Sequence, residues 1–120
     1  KQQQPLNSLF YVGINIDIAS VPLFPGVVEF ARKGLCPGGL YRNRDFYAPS
    51  ARFAPGIPTE VQDVLHDPQT SGGLLMCIDT KQADRLLGKL KEAGVVEAAI
   101  IGDGVLLDSG DFSGLPSQMA

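Results

Sequence analysis

Glycine and proline divide this chain into short segments, and that division limits its fold more than any other feature. The sequence has 14 Gly and 9 Pro in 120 residues, about a fifth of the chain, where roughly 12% is usual. They lack the regular spacing of collagen and cluster between apolar runs, as turn residues do. With 44% hydrophobic residues, the chain has enough apolar side chains for the core of one domain and is too short for two ordinary ones.

Composition and charge exclude several classes of protein. The longest apolar run, Leu74 to Ile78, is far shorter than the ~18 residues of a membrane-spanning helix. The net charge of −3 provides no basic surface for nucleic acid. Cys36 and Cys77 lack metal-ligand spacing, and the polar N-terminus has no apolar signal-peptide core. We therefore expect a cytoplasmic protein with reduced thiols and with neither a membrane nor a nucleic-acid partner.

Hydrophobic periodicity predicts short strands and helices in alternation. Apolar residues recur at every second position in the predicted strands and at helical spacing in the predicted helices. In chain order these are a strand over 10–18, helices over 27–33 and 59–65, a strand buried on both faces over 74–78, and a helix over 81–93. Residues 95–96 and 98–101 are predicted to form a further strand, which turns at Asp103-Gly104 into a hairpin with 105–107. Thr59, with Gln62 in a capping box, and Thr80 are the expected helix caps.

Residues 35–58 contain seven of the glycines and prolines, and no periodic pattern persists there. We expect only a short helix or turn within Arg42 to Tyr47, because long structureless stretches are uncommon in compact domains. The order of elements predicts an α+β protein, a sandwich with helices packed on a mixed sheet.

The most specific segment for function is the polar loop that precedes the apolar run at 74–78. Pro68 favours extended backbone at the residue before it, the two glycines permit positive φ and close approach of another group, and successive backbone N–H groups in such a turn can bind an anion. The same residue types also form ordinary tight loops. No Walker-type phosphate loop occurs in the sequence. The candidate site residues of this loop are Asp67, Thr70, Ser71, Gly72 and Gly73.

Four short motifs occur in the order found in a known enzyme family. Asp-Pro-Gln-Thr-Ser-Gly-Gly-Leu-Leu at 67–75 has the form of the family's signature loop. The other three are Val21 to Gly26, Pro37-Gly38-Gly39 followed by Arg42-Asn43-Arg44, and Ala99 to Gly102. Together they cover roughly residues 9–104 and resemble the C-terminal half of selenophosphate synthetase, or selenide, water dikinase. The resemblance implies an α/β/α-type sandwich like the C-terminal domain of aminoimidazole ribonucleotide synthetase.

The resemblance also implies a chemistry, most of which belongs to a part that this chain lacks. The family makes selenophosphate, AMP and phosphate from selenide, ATP and water, with Mg²⁺ as cofactor. Its N-terminal domain builds the homodimer and most of the ATP site, and that domain's reactive Cys or selenocysteine and Mg²⁺-binding aspartates have no counterpart here. We therefore expect residues 1–120 to be a single C-terminal domain, frayed at 1–8 and 109–120, whose partner is its own missing N-terminal domain.

Two elements of this chain are expected to face the active-site cleft between the domains and to shape it or contact phosphate. One is the loop at 67–73, and the other comprises Pro37, Gly38, Gly39 and Asn43. We expect no catalytic residue and no metal ligand in this chain, and alone it should neither turn over ATP nor bind ATP or Mg²⁺ tightly. The alternatives are a sister synthetase with another acceptor and a stand-alone binding module.

The remaining reactive side chains are interpreted as structural. Cys36 and Cys77 are expected to be small buried hydrophobes. His66, the only histidine, is expected at a helix end, where an imidazole balances the helix dipole. The carboxylates Asp103, Asp108 and Asp111 lack the order of a calcium-binding loop.

Overall fold

Four α-helices and two β-strands make up the described part of the chain, residues 12–69 and 71–106 of a computed structural model. In chain order the elements are β1 (Val12–Ile16), a 3₁₀ turn (Ile18–Ser20), α1 (Val27–Arg32), α2 (Gly38–Tyr47), α3 (Thr59–Leu65), α4 (Thr80–Glu92) and β2 (Gly102–Leu106). The described residues form two units: 12–22 with 76–106, which holds both strands and α4, and 23–69 with 71–75, which holds α1 to α3. No helix in this described part is long and apolar enough to cross a membrane.

The two strands form an antiparallel pair from distant parts of the sequence. Ile14 lies opposite Gly104, and Ile16 lies opposite Gly102. The backbone N–H of Asp17 extends the pairing by donating to the carbonyl oxygen of Ile101 at 2.8 Å. The combination of helices with this sheet confirms the α+β class.

The predicted hairpin turn at Asp103-Gly104 is wrong. β2 runs straight through both residues, which pair with Asn15 and Ile14 of β1. Asp-Gly is a strong local signal for a two-residue hairpin turn, but here each residue has a partner on a strand about ninety positions earlier. That pairing requires extended backbone. The long-range ladder has overridden the local preference.

The predicted buried strand at 74–78 is also wrong. Residues 71–79 have no regular secondary structure and are exposed, with Leu74 89% exposed. A strand buried on both faces needs a hydrogen-bonded neighbour, and within the described residues β1 and β2 pair only with each other. Residues 95–101 are likewise turn and irregular structure rather than strand.

The helices predicted from periodicity are confirmed, but their caps differ from the expectation. α4 is capped by Asp79, whose Oδ1 accepts a hydrogen bond from the backbone N–H of Lys81 at 2.8 Å, and Thr80 is its first helical residue. Gly94, with φ at +93°, follows the end of α4 in the left-handed conformation typical of this position.

Helix α3 begins directly after Pro58, and Thr59 is its first residue and not its cap. Gln62 does not complete a capping box, because its Nε2 donates to the carbonyl oxygen of Ile57 at 2.9 Å. That bond still ties the first turns of α3 to the preceding loop.

Helix α2 occupies the middle of the stretch in which the sequence predicted only a short helix or turn. It runs over ten residues, and Leu40, 2% exposed, is the most deeply buried side chain of the core that the described residues show. Val64 of α3 is the other buried apolar residue of that core. Helix α1 contacts α3, and Arg32 and Glu60 link these two helices by an ion pair of 2.9 Å. This three-helix unit positions the candidate site.

Candidate functional site

The structure brings together the two elements that the sequence singled out. Asn43, in the middle of α2, donates a hydrogen bond from Nδ2 to the backbone carbonyl oxygen of His66 at 2.9 Å. One helical turn earlier, Gly39 lies against the ring of Pro68: a Cβ atom on Gly39 would lie 2.8 Å from Pro68 Cγ. Residues 39 and 43 share a face of α2 because positions four apart lie one above the other. That face therefore contacts the start of the loop on both sides of Asp67.

A second contact fixes α2 to the body of α3. Arg44 Nη1 lies 2.9 Å from Oδ1 of Asp63, whose side chain is largely buried. The guanidinium of Arg44 also lies over the ring of Tyr41 at 5.2 Å from its centroid. The sequence pattern did not identify this pair, because Arg44 and Asp63 are nineteen residues apart on different helices and no spacing rule connects them.

His66 lies at the end of α3, as predicted. Its Nδ1 is 2.7 Å from the carbonyl oxygen of Gln62, and because a carbonyl only accepts hydrogen bonds, Nδ1 carries the proton and donates. The ring also lies 5.8 Å, between centroids, from that of Phe53. Both the ring and the backbone carbonyl of His66 are thus engaged within the unit.

The loop after His66 turns back on itself. The backbone N–H of Asp67 donates to Val64 at 3.2 Å, and that of Gln69 donates to Asp67 at 2.9 Å. A Cβ atom on Gly72 would lie 3.0 Å from Oε1 of Gln69, so the Gln69 side chain lies close to this glycine.

Neither Gly72 nor Gly73 has a positive φ, so the loop does not use the conformation that glycine permits at these positions. Ser71, Gly72 and Gly73 are exposed. Thr70, the other hydroxyl-bearing candidate, lies outside the described residues.

The remaining residues of the second element stand at the beginning of α2. Pro37 precedes the helix with extended backbone and makes no side-chain capping bond. The space around Gly38 is open, since a Cβ atom there would have no other group within 4 Å. Pro37 and Asp67 both line an open cleft of about 220 Å³ between α1, the start of α2 and the end of α3. The cleft therefore joins both sequence elements at a mainly apolar surface.

The expectation that both cysteines are buried hydrophobes is wrong. Cys36 is half-buried and lines the cleft, whereas Cys77 is exposed. Among the described residues that line the cleft with Cys36, Asp67 is the only charged one, and the others are apolar. The cleft thus has a mainly apolar lining with one carboxylate.

Outside the cleft, hydrogen bonding shifts the pKa of one carboxylate. The pKa of Glu60 is lowered from its ordinary 4.5, first by hydrogen bonding from its own backbone N–H and then by the Arg32 guanidinium.

Within residues 12–69 and 71–106, no three His, Cys, Asp or Glu side chains are grouped so as to hold a metal ion. The site therefore presents the backbone of a glycine-rich loop and the hydroxyl of Ser71, and α2 supports the start of this loop.

Three curated relatives place the chain among known proteins. It is 42% identical over 91 residues to a protein named selenide, water dikinase from Pelobacter propionicus, a match that covers 76% of this chain and 26% of the relative. The proteins of that name from Clostridioides difficile and from a type B strain of Clostridium botulinum are 40% and 41% identical over 91 and 98 residues.

No family model matches the chain. No solved structure matches it either. The chain spans about a quarter of the length of the curated relatives that it matches. With about 40% identity over three quarters of its residues or more, the chain belongs to the selenide, water dikinase family and corresponds to a C-terminal part of its relatives.

Proposed function

We propose that this chain is the C-terminal domain of an ATP-dependent selenophosphate synthetase. The parent reaction converts selenide, ATP and water into selenophosphate, AMP and phosphate. The observation that carries the proposal is the identity of about 40% to several proteins named selenide, water dikinase. Those names also favour this reaction over that of a sister synthetase with another acceptor.

The role proposed for this chain is to shape the active-site cleft between two domains. The loop at 67–73 is proposed to face that cleft, with its backbone N–H groups and the Ser71 hydroxyl donating hydrogen bonds to phosphate oxygens. The exposure of Ser71 to Gly73 supports this role, since donors aimed at a ligand must not be used up inside the protein. The element Pro37 to Asn43 is proposed to support the loop from behind, and its contacts with His66 and Pro68 favour this arrangement.

The rest of the reaction is assigned to an N-terminal domain of the parent. In this proposal residues 1–120 form one α/β/α-type domain, and the other domain supplies the nucleophile, the ATP site, the Mg²⁺ ligands and the homodimer contact, in the cytoplasm. Large apolar side chains at the surface, among them Phe24 at 88% exposed, support a further part of the protein that covers them.

The decisive experiment expresses the complete open reading frame that contains these residues. We expect it to encode an upstream ATP-binding domain and its product to form AMP from ATP only when selenide is present. ATP consumption without selenide would contradict the proposed acceptor. A start codon next to Lys1 would instead support the stand-alone binding module.

A second experiment tests the division of labour between the domains. The 120-residue chain is titrated with ATP and Mg²⁺ by calorimetry, beside the complete protein. We expect heat of binding with the complete protein and none at micromolar concentrations with the 120-residue chain. Tight nucleotide binding by the shorter chain would show that the ATP site lies within it.

A further inference from the structure

The carbonyl oxygen of His66 has its hydrogen-bond donor on another helix. His66 follows the last residue of α3, where backbone carbonyls have no intrahelical partner. Asn43 of α2 supplies that partner through Nδ2 at 2.9 Å, in a partly buried position. The next residue is Asp67, the first of the proposed phosphate-contacting loop, so this bond is located where the loop leaves the helix.

We propose that Asn43 is a positioning residue that fixes the backbone of the loop at 67–73 through the carbonyl oxygen of His66. The inference rests on the function proposed for that loop and adds a residue that acts on it without touching substrate. Its chemical requirement is specific: the side chain at 43 must donate a hydrogen bond, because the group it faces can only accept one.

Two further contacts explain why α2 can serve as a fixed support. The ion pair of Arg44 and Asp63 joins α2 to the body of α3, away from the loop. Gly39, on the same face of α2 as Asn43, lies against the Pro68 ring and limits movement of the loop from the other side of Asp67. The loop start is therefore held at two points by one rigid element.

Two different contacts of α2 anchor the helix and position the loop: the ion pair of Arg44 with Asp63 anchors α2, and the hydrogen bond of Asn43 positions the loop. Loss of the Arg44 guanidinium removes the ion pair and lowers stability, but the amide donor at 43 stays in place because the buried Leu40 still anchors α2. Loss of the donor at 43 leaves the ion pair in place but releases the carbonyl of His66. The two changes are similar in size and adjacent in sequence, which makes Arg44→Gln a matched control for substitutions at Asn43.

The experiment measures hydrogen exchange and steady-state kinetics on the complete protein that contains this chain. Its variants are Asn43→Asp, which keeps the shape and removes the donor, Asn43→Ala, and the control Arg44→Gln. In the structure the N–H groups of Asp67 and Gln69 donate hydrogen bonds to the carbonyl oxygens of Val64 and Asp67. We expect their exchange to accelerate about fivefold or more in both Asn43 variants, the factor that corresponds to one neutral hydrogen bond, and to stay at the wild-type rate in Arg44→Gln.

The kinetic part uses ATP and selenide as substrates. In the Asn43 variants we expect the KM for ATP to rise by a similar factor with a smaller change in kcat, and in Arg44→Gln we expect a lower melting temperature with an unchanged KM. Wild-type exchange and KM in Asn43→Asp would overturn the proposal, and so would equal effects of Arg44→Gln and Asn43→Asp. A wild-type protein without selenide-dependent activity would refute the proposed function, while the exchange rates would still decide whether Asn43 positions the loop.

Discussion

The contact between Gly39 and Pro68 predicts that alanine at position 39 destabilises the protein. A Cβ atom there would lie 2.8 Å from Pro68 Cγ and 3.3 Å from Pro68 Cβ, closer than carbon atoms in contact, which are normally 3.5–4.0 Å apart. The proline ring cannot rotate away, so the helix or the loop must move. Overpacking of this kind costs about 1–3 kcal/mol, and the gain from replacing glycine by alanine within a helix is about 0.5–1 kcal/mol.

The expected net effect of Gly39→Ala is a loss of about 1 kcal/mol in the free energy of unfolding. For a chain of this size that corresponds to a melting temperature lower by about 4 °C. The measurement is urea denaturation followed by circular dichroism. Gly38→Ala is the matched control, because the space around Gly38 is open, and it should be at least as stable as the wild type.

The double variant Gly39→Ala, Pro68→Ala tests the cause. Removal of the proline ring takes away the atoms that the new Cβ meets, so the double variant should lose less stability than the sum of the two single variants. Strict additivity, or a Gly39→Ala variant as stable as Gly38→Ala, would refute the contact between α2 and the loop.

Two further predictions concern α3 and the sheet. Because the pKa of Glu60 is lowered in the folded protein, its ionised form stabilises the fold above pH 4.5, and this stabilisation is lost as the pH falls through the folded pKa. In Glu60→Gln the free energy of unfolding, measured by urea titration, should therefore fall less steeply below pH 4.5, and an unchanged pH dependence would contradict this. Gly102→Ala should abolish the pairing of β1 with β2, because its Cβ would overlap the carbonyl oxygen of Asn15, whereas the Cβ of Gly104→Ala meets open space. Cross-strand nuclear Overhauser contacts in the two variants measure the difference, and equal contacts in both would refute the prediction.

Hydrophobic periodicity predicted the helices and strands that have a regular apolar face. The apolar face of α4 recurs at helical spacing, and the alternation in β1 continues for the whole strand, so periodicity identified both. The helix α2 has no such signal: it begins with two glycines, which disfavour helix, and one buried leucine dominates its packing. Its stability comes from contacts with α3 that sequence spacing does not reveal.

The candidate site shows the same division. Residue types alone identified the loop at 67–73 and the element at 37–43, and the motifs identified the family. They did not show that Asn43 and Gly39 contact the start of the loop, since this needs the distance between residues more than twenty positions apart. Residue types also did not decide the backbone conformation of Gly72 and Gly73, which have no positive φ, because glycine permits that conformation without requiring it.

The sequence by itself determined the α+β class, the family and the position of the glycine-rich loop, because these depend on short patterns of residue types. Only the tertiary structure decided that β2 extends through Asp103-Gly104 and that α2 holds the end of α3. Hydrogen bonds and ion pairs between distant residues stabilise both arrangements. Such contacts form only when the chain folds, and they can outweigh the local preference of a turn dipeptide or of a glycine pair.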